Sequence, residues 1–502
     1  MDRRAGADKM AAAQQSRLSN YMYRALALGI AMLLAGQSAQ ANPAASPRHV
    51  VIGYYLLEKE QINHYAEDGV PFPISAITPE KAAMLTHINY SFQNLDAAGQ
   101  CALEPGTDPA KAAAVFSRLN QLKRHNRDLR ILFSLGGWAY TNDDSPTAAR
   151  YREAASSAAK RRQMAASCIR FMKRYGFDGI DIDWEYPRQQ DAGNFVALLT
   201  EIRQQLNVEN RRRRLKYQLT IAGAGGAFNL ARYYLQLPQI AAQVDYINLM
   251  SYDLNGAWQK QTDHNAHLFG DSREALYDNP LRDLPFRPAL TPAELQHRFP
   301  SPFALTVDAA VQQYLQAGVP AAKLVLGLPF YGRAYFEVGS ANQGLYQGFV
   351  TPAGDDYHGD AGLLYGCTAC AQRGDPRTPG YDDIQKLLSA DLGYQRYFSS
   401  DSKVPWLYHP GKQIFVSYDD PESFRYKLKY LKQQGLAGAM FWHLGQDDAK
   451  GSLLRTLHQG LNDPAYCDAE LNLGGGLHYG KELAQPEAAA PAPGKCPRPL
   501  HQ

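Results

Sequence analysis

The sequence predicts an α/β protein, a (β/α)8 TIM barrel with a small α+β insertion between strand 7 and helix 7. Eight short β-rich runs recur along the chain, with helical patterns between them. Most of the runs are apolar nearly throughout, as expected of strands covered on both faces. The 502 residues, 45% hydrophobic and 20% charged, supply a large core and exclude a disordered or fibrous chain. Six cysteines in so long a chain exclude a disulfide framework, and a net charge of +3 gives no sign of a polyanion partner.

Residues 1–41 have the form of a secretory signal peptide. Five basic residues stand against two acids, an apolar run of 11 residues follows from Ala25 to Ala35, and Ala39-Gln40-Ala41 offers a small-residue cleavage site. A membrane-spanning helix needs roughly 20 apolar residues, so the run reads as an export address rather than an anchor. Met10 and Met22 are alternative starts. Because residues 1–41 carry the whole +3, residues 42–502 are formally neutral.

The expected barrel occupies residues 42–462. Its strands are Val50–Tyr55, His87–Phe92, Leu129–Leu135, Gly179–Glu185, Tyr217–Ala222, Tyr246–Tyr252, Lys323–Phe330 and Ala437–His443. Helical patterns fall between them at Asp108–His125, Ala158–Tyr175, Asn194–Leu206, Ala304–Ala317 and Glu422–Gln434. The interval from Phe330 to Ala437 is far longer than one crossover helix requires, so an inserted subdomain is expected at about 334–410, on the face where barrel loops build sites. Residues 463–502 fade into Gly-, Ala- and Pro-rich sequence and read as a flexible tail with no recognisable carbohydrate-binding module. The basic run Arg211–Arg214 reads as a solvated turn, not a nucleic-acid site. Cys367 and Cys370 read as a structural bridge in the insert, Cys467 and Cys496 as a possible closure of the tail, and Cys101 and Cys168 as buried free thiols.

The chemistry is concentrated in Asp178-Gly179-Ile180-Asp181-Ile182-Asp183-Trp184-Glu185. Side chains alternate along a strand, so Asp181, Asp183 and Glu185 share one side at intervals of about 6.6 Å while Ile180, Ile182 and Trp184 take the other. Three acids stacked in a barrel mouth repel one another and lose solvent, which keeps a proton bound near neutral pH and makes a general acid available. Glu185, nearest the strand's C-terminal end, is best placed to meet substrate. Asp178 has the wrong parity and reads as a strand-start residue. An acidic edge strand is a poor alternative because Ile and Trp interleave. A divalent metal site is the other alternative, but no His or further acid cluster appears on neighbouring strand ends, so no metal and no cofactor are expected.

These residues resemble the strand-four signature Asp-x-x-Asp-x-Asp-x-Glu of the family 18 glycoside hydrolases, the chitinase family. The likeness runs from about Val51 to Gln446 and is strongest to secreted bacterial exo-chitinases of the chitinase B type. Further matching blocks are Gly53-Tyr54-Tyr55, Ser134-Leu135-Gly136-Gly137-Trp138, Met250-Ser251-Tyr252-Asp253, Phe330-Tyr331-Gly332-Arg333 and Phe441-Trp442-His443-Leu444-Gly445, each at an expected strand end.

The resemblance implies retaining hydrolysis of β-1,4-linked N-acetylglucosamine in chitin and chitooligosaccharides, with the substrate's own 2-acetamido oxygen as nucleophile. It assigns catalysis to Glu185, Asp183, Asp181 and Tyr252. It places Tyr54 and Ser134 behind the acids, Met250 beside Tyr252, and Trp442 as the floor under the scissile sugar. Trp138 and Trp258 become stacking platforms, and Phe92, Gly137, Tyr186, Phe228, Asp253, Tyr331 and Arg333 complete the groove. Non-proline cis bonds are implied at Ser91–Phe92, Glu185–Tyr186 and Trp442–His443. Two departures from the chitinase B pattern stand out: no tryptophan occurs in Asn279–Arg287, where relatives roof the groove, and residues 463–502 lack tryptophan altogether.

The accompanying expectations are a monomeric, exported enzyme that releases diacetylchitobiose and has no nucleic-acid or membrane partner after signal removal. The competing readings are an endo-β-N-acetylglucosaminidase acting on N-glycans and a non-catalytic chitin-binding lectin.

Overall fold

The computed structural model describes residues 49–56, 72–103, 107–213, 216–226, 236–271, 305–350, 365, 367, 377–389, 391–463, 466–476 and 478. The expected signal peptide, Phe228, the segment Asn279–Arg287, Cys370 and Cys496 lie outside the described residues. Among the described residues, no helix is long and apolar enough to cross a membrane.

Eight parallel strands close on themselves. In chain order the strands of the protein are β1 (Val50–Leu56), β2 (His87–Leu95), β3 (Cys101–Ala102), β4 (Arg130–Gly136), β5 (Gly179–Asp183), β6 (Gln218–Ala224), β7 (Tyr246–Met250), β8 (Leu324–Pro329), β9 (Arg333–Tyr335), β10 (Gln395–Ser399), β11 (Val404–His409), β12 (Ile414–Ser417) and β13 (Gly438–Trp442). The barrel order is β1-β13-β8-β7-β6-β5-β4-β2, and β2 pairs again with β1 to close the ring. β4, β5, β8 and β13 are buried almost end to end, which is why the sequence shows unbroken apolar runs rather than alternation.

The surrounding helices begin where the sequence supplies caps. Asp108 accepts from the backbone N–H groups of Ala110 and Lys111 ahead of the helix Pro109–Gln121. Asp420 and Ser423 form a reciprocal capping box at the start of Pro421–Gln433. The helix Ala192–Arg213 is longer than its periodic pattern and takes in Arg211 and Arg212, which are exposed on its last turn rather than in a loop.

Past β8 the chain builds a separate four-stranded antiparallel sheet in the order β10-β11-β12-β9, with the helix Tyr381–Ser389 beside it. Its own core contains Tyr335, Val338, Leu345, Tyr346, Trp406, Tyr408 and Phe415, so Trp406 is a packing residue. Of the C-terminal stretch, Glu470 pairs with Arg425 at 2.8 Å, Asp468 pairs with Lys432, and the carbonyl of Gly474 accepts from Lys403 Nζ at 2.7 Å.

The cysteine expectation is also overturned: Cys101 and Cys168 form a disulfide rather than two free thiols. β3 returns antiparallel along the end of β2, which lays Cys101 against the helix Ala158–Tyr175 with the two Cα atoms 4.9 Å apart. The Cys101 N–H donates to the neighbouring Ser167 Oγ at 3.0 Å. The separation of 67 residues conceals this proximity in the sequence. Cys367 and Cys467 each take part in a disulfide as well.

Cross-linking across a loop of this length constrains the unfolded chain, so Cys101→Ala/Cys168→Ala is expected to lower the unfolding free energy by about 2–4 kcal/mol. Denaturant titration with and without a reducing agent measures this, and the double variant should no longer respond to reduction at that bridge.

Candidate active site

β5 carries Asp181 and Asp183 into the barrel, and the chain leaving its C-terminal end carries Glu185. Asp181 is fully buried and Asp183 nearly so, whereas Glu185 is half-buried at the mouth. Strand parity dictates the other face. Trp184 turns outward, where it packs edge-on against Phe195 at 5.7 Å and beside Tyr151.

A buried carboxylate needs donors, and Asp181 has four from four strands. Its Oδ2 accepts from Tyr54 (β1) at 2.9 Å and Ser134 (β4) at 2.7 Å, and its Oδ1 accepts from Thr220 (β6) at 2.5 Å and Asn248 Nδ2 (β7) at 3.3 Å. Ser134 and Thr220 stand directly opposite Asp181 in the two flanking ladders. Burial raises the Asp181 carboxyl above its usual range, and the four donors pull it back. Burial, together with the charges of Asp181 and Asp183, pushes the Tyr54 phenol well above its usual range, so it stays protonated as a donor.

The Tyr252 phenol is likewise raised well above its usual range, by burial and by the negative charges of Asp183, Asp253, Glu185 and Asp181. It lies against Met440 Sδ at 3.9 Å, with its ring edge-on to Tyr331. At neutral pH it therefore offers an O–H donor beside the acids.

Two glycines let the β4 end approach β5. Gly136 has φ +117°, and a Cβ there would sit 2.0 Å from the Asp183 carbonyl oxygen. Gly137 has φ +85°, and a Cβ there would lie 2.6 Å from the Phe92 ring. Phe92 in turn stacks on Trp442 at 5.5 Å and 17°, and Tyr54 tilts against the same indole at 5.7 Å. Trp442 thus lies as a half-buried plate at the end of β13. The cis bonds at Ser91–Phe92, Glu185–Tyr186 and Trp442–His443 are present.

A second cluster builds one wall. Asp253 Oδ1 accepts from the Tyr331 hydroxyl at 2.7 Å and Arg333 Nε at 2.8 Å, and the Arg333 guanidinium lies 5.2 Å from the centre of the Trp258 ring. Trp138 and Trp258 are 56% and 48% exposed, so they stand at the rim as flat apolar surfaces rather than in the core. Met250 and Tyr186 are half-buried at the ends of β7 and β5.

Sequence reasoning missed Thr220 and Asn248. Their signal was present as polar residues within largely apolar strands, at positions whose parity faces the barrel axis. Thr141 was missed as well, because it lies on a short helical turn, Trp138–Thr141. Asp178, at the base of β5, accepts from the Ile131 N–H at 2.8 Å and pairs with Lys123 at 2.5 Å, far from the triad in role.

Thr220→Val keeps the shape but strips one donor from Asp181 and raises that carboxyl further. A folded-state value raised above the unfolded one weakens the native state as the group ionises, so the added loss belongs to neutral pH and disappears in acid. The expected loss is about 1–3 kcal/mol of unfolding free energy at pH 7, shrinking toward pH 3, measured by denaturant unfolding at both pH values.

The comparisons with known proteins agree with this geometry. The family described as "Glycosyl hydrolases family 18" matches residues 50–447. Chitinase B of Serratia marcescens is 50% identical over 441 residues, covering 86% of this chain and 88% of that protein. Chitinase A1 of Niallia circulans is 34% identical, covering 84% of this chain and 61% of its own longer length. Among solved structures, a family 18 N-acetylglucosaminidase from Paenibacillus barengoltzii superposes with a TM-score of 0.62 at 29% identity, covering 82% of this chain and all of that one. With three acids along β5 and the chain leaving it, a buried phenol beside them and a family match spanning the whole barrel, the chain belongs to the family 18 glycosyl hydrolases.

Proposed function

We propose that this protein is an exported, exo-acting chitinase that hydrolyses β-1,4-N-acetylglucosamine linkages with retention, through the substrate's own acetamido group, and releases diacetylchitobiose. The observation that carries the reading is the stack of Asp181, Asp183 and Glu185 along β5 and the chain leaving it, facing strands that bear no carboxylate. β13, directly across the ring from β5, and its neighbours β1 and β8 contain no Asp or Glu, so no barrel strand there supplies a nucleophilic carboxylate. A retaining enzyme with one carboxylate pair needs the second opposite the first at close range; substrate assistance removes that need.

In the proposed cycle Glu185 donates its proton to the glycosidic oxygen while the acetamido oxygen attacks C1, giving a cyclic oxazolinium and the free leaving sugar. Asp183 accepts a hydrogen bond from the acetamido N–H and balances the positive charge, and the Tyr252 O–H donates to the acetamido oxygen and orients it. Glu185, now a carboxylate, takes a proton from water, which opens the ring and restores the configuration. Asp181, anchored by four donors, holds one proton in common with Asp183 and sets which partner Asp183 faces. Trp442 underlies the reacting sugar, and Trp138, Trp258, Phe92 and Tyr186 offer surfaces for pyranose C–H faces. Asp253, Tyr331 and Arg333 make the polar wall. The Cys101–Cys168 bridge supports export, because disulfides persist in oxidising compartments.

Purified protein is expected to release diacetylchitobiose from colloidal chitin, and Glu185→Gln to lower that rate by about 10³-fold or more without loss of fold. Cleavage of a high-mannose glycopeptide with no release from chitin would overturn the substrate, and monomer release alone would overturn the product. A thiazoline mimic of the cyclised acetamido group should compete with substrate; a mimic without effect at millimolar concentration would contradict the acetamido nucleophile.

A further inference from the structure

Glu185 lies beyond the strand ladders that hold the rest of β5. The pairing of β4 with β5 ends at Gly136 and Asp183, and that of β5 with β6 ends at Ile182 and Ile221. The ladders therefore stop short of Trp184 and Glu185, although the acid must hold its position to within a fraction of an ångström. The turn after β4 reaches into this stretch. The Gly137 N–H donates to the Asp183 carbonyl at 2.7 Å, the Thr141 hydroxyl donates to the Gly137 carbonyl at 2.8 Å, and the Glu185 N–H donates to Thr141 Oγ1 at 2.9 Å. Asp183, Gly137, Thr141 and Glu185 thus form one continuous hydrogen-bonded bracket around Trp184. Thr141 is only 3% exposed, so its hydroxyl is shielded from solvent, and its single proton, donated to Gly137, leaves a lone pair for the Glu185 N–H. The same helical turn opens with Trp138, the rim indole.

Resting on the assignment of Glu185 as the acid, we propose that Thr141 is a positioning residue for Glu185 and that it couples the acid to occupancy of Trp138. A sugar ring packed on the indole immobilises the turn Trp138–Thr141, and the hydroxyl passes that order to the main chain of Glu185. Thr141 touches no substrate; its effect falls on the transition state rather than on binding.

The test uses the full-length protein on a soluble chitooligosaccharide. Thr141→Val, which keeps the shape and removes both hydrogen bonds, is expected to lower kcat about 10- to 100-fold with KM within about twofold. Thr141→Ser, which keeps the hydroxyl, is expected to return kcat to within about threefold. If the valine variant does not fold, Thr141→Ala is measured in its place. Trp138→Ala combined with Thr141→Val should lose less than the product of the two separate losses, because both act through one turn. An unchanged kcat in a folded Thr141→Val or Thr141→Ala protein, or a loss that serine does not restore, overturns the positioning role. Independent, multiplicative losses in the double variant overturn the coupling to Trp138. Glu185→Gln, measured alongside, separates the outcomes: if it stays active the assignment of the acid fails, and if it is inactive while Thr141→Val is normal only this inference fails.

Discussion

A carboxylate sealed inside an apolar barrel is tolerable only if its oxygens are given donors, and Asp181 draws them from β1, β4, β6 and β7 at once. That requirement reaches well beyond one residue. A slip of β5 by a single residue would bring Ile180 or Ile182 to the donors and turn Asp181 toward the helices, so the polar cage fixes the register of β5 against both neighbours. With Asp181 fixed, alternation alone sets Asp183 one layer higher and Glu185 at the mouth. The depth of the three acids is graded by strand geometry: sealed, nearly sealed, half-open.

Around this axis the barrel mouth is assembled from close approaches. Gly136 and Gly137 bring the β4 end against the Asp183 carbonyl and the face of Phe92, where a side chain on either would collide. Phe92 then stacks on Trp442, so the aromatic plate at the end of β13 is held from β2 as well. Opposite, the Asp253 carboxylate gathers Tyr331 and Arg333, and the guanidinium lies against Trp258. The acids are rigidly backed while the rim tryptophans stay exposed, an arrangement that suits the sugar polymer proposed as substrate.

Much of this was legible in the chain because the relevant signals are local. Parallel strands covered on both faces read as apolar runs, and all eight were located to within a few residues. The parity of Asp181, Asp183 and Glu185 is a property of any strand, so their common face followed from spacing alone. The abnormal interval after Phe330 announced additional structure there, and β9–β12 fill it. The basic run after Leu206 was misplaced because the pattern fades where the helix Ala192–Arg213 does not. Its last turn is solvated, and solvated turns carry no apolar period.

What stayed hidden depends on contacts between residues distant in sequence. A thiol at Cys101 and another at Cys168 look alike whether free or bridged, and only the return of β3 along β2 brings them together. Thr220, Asn248 and Thr141 are ordinary residues in ordinary strands and turns. Their importance comes from closure of the ring, which points hydroxyls and an amide from separate strands at Asp181, and from the turn after β4, which reaches across to the Glu185 N–H. The sequence by itself determined the barrel, the strand from which the three acids project and their order along it, because periodicity and alternation are short-range properties of the backbone. Only the tertiary structure decided which donors hold those acids in place and which cysteines are joined, because such partners are selected by where the ring of strands closes.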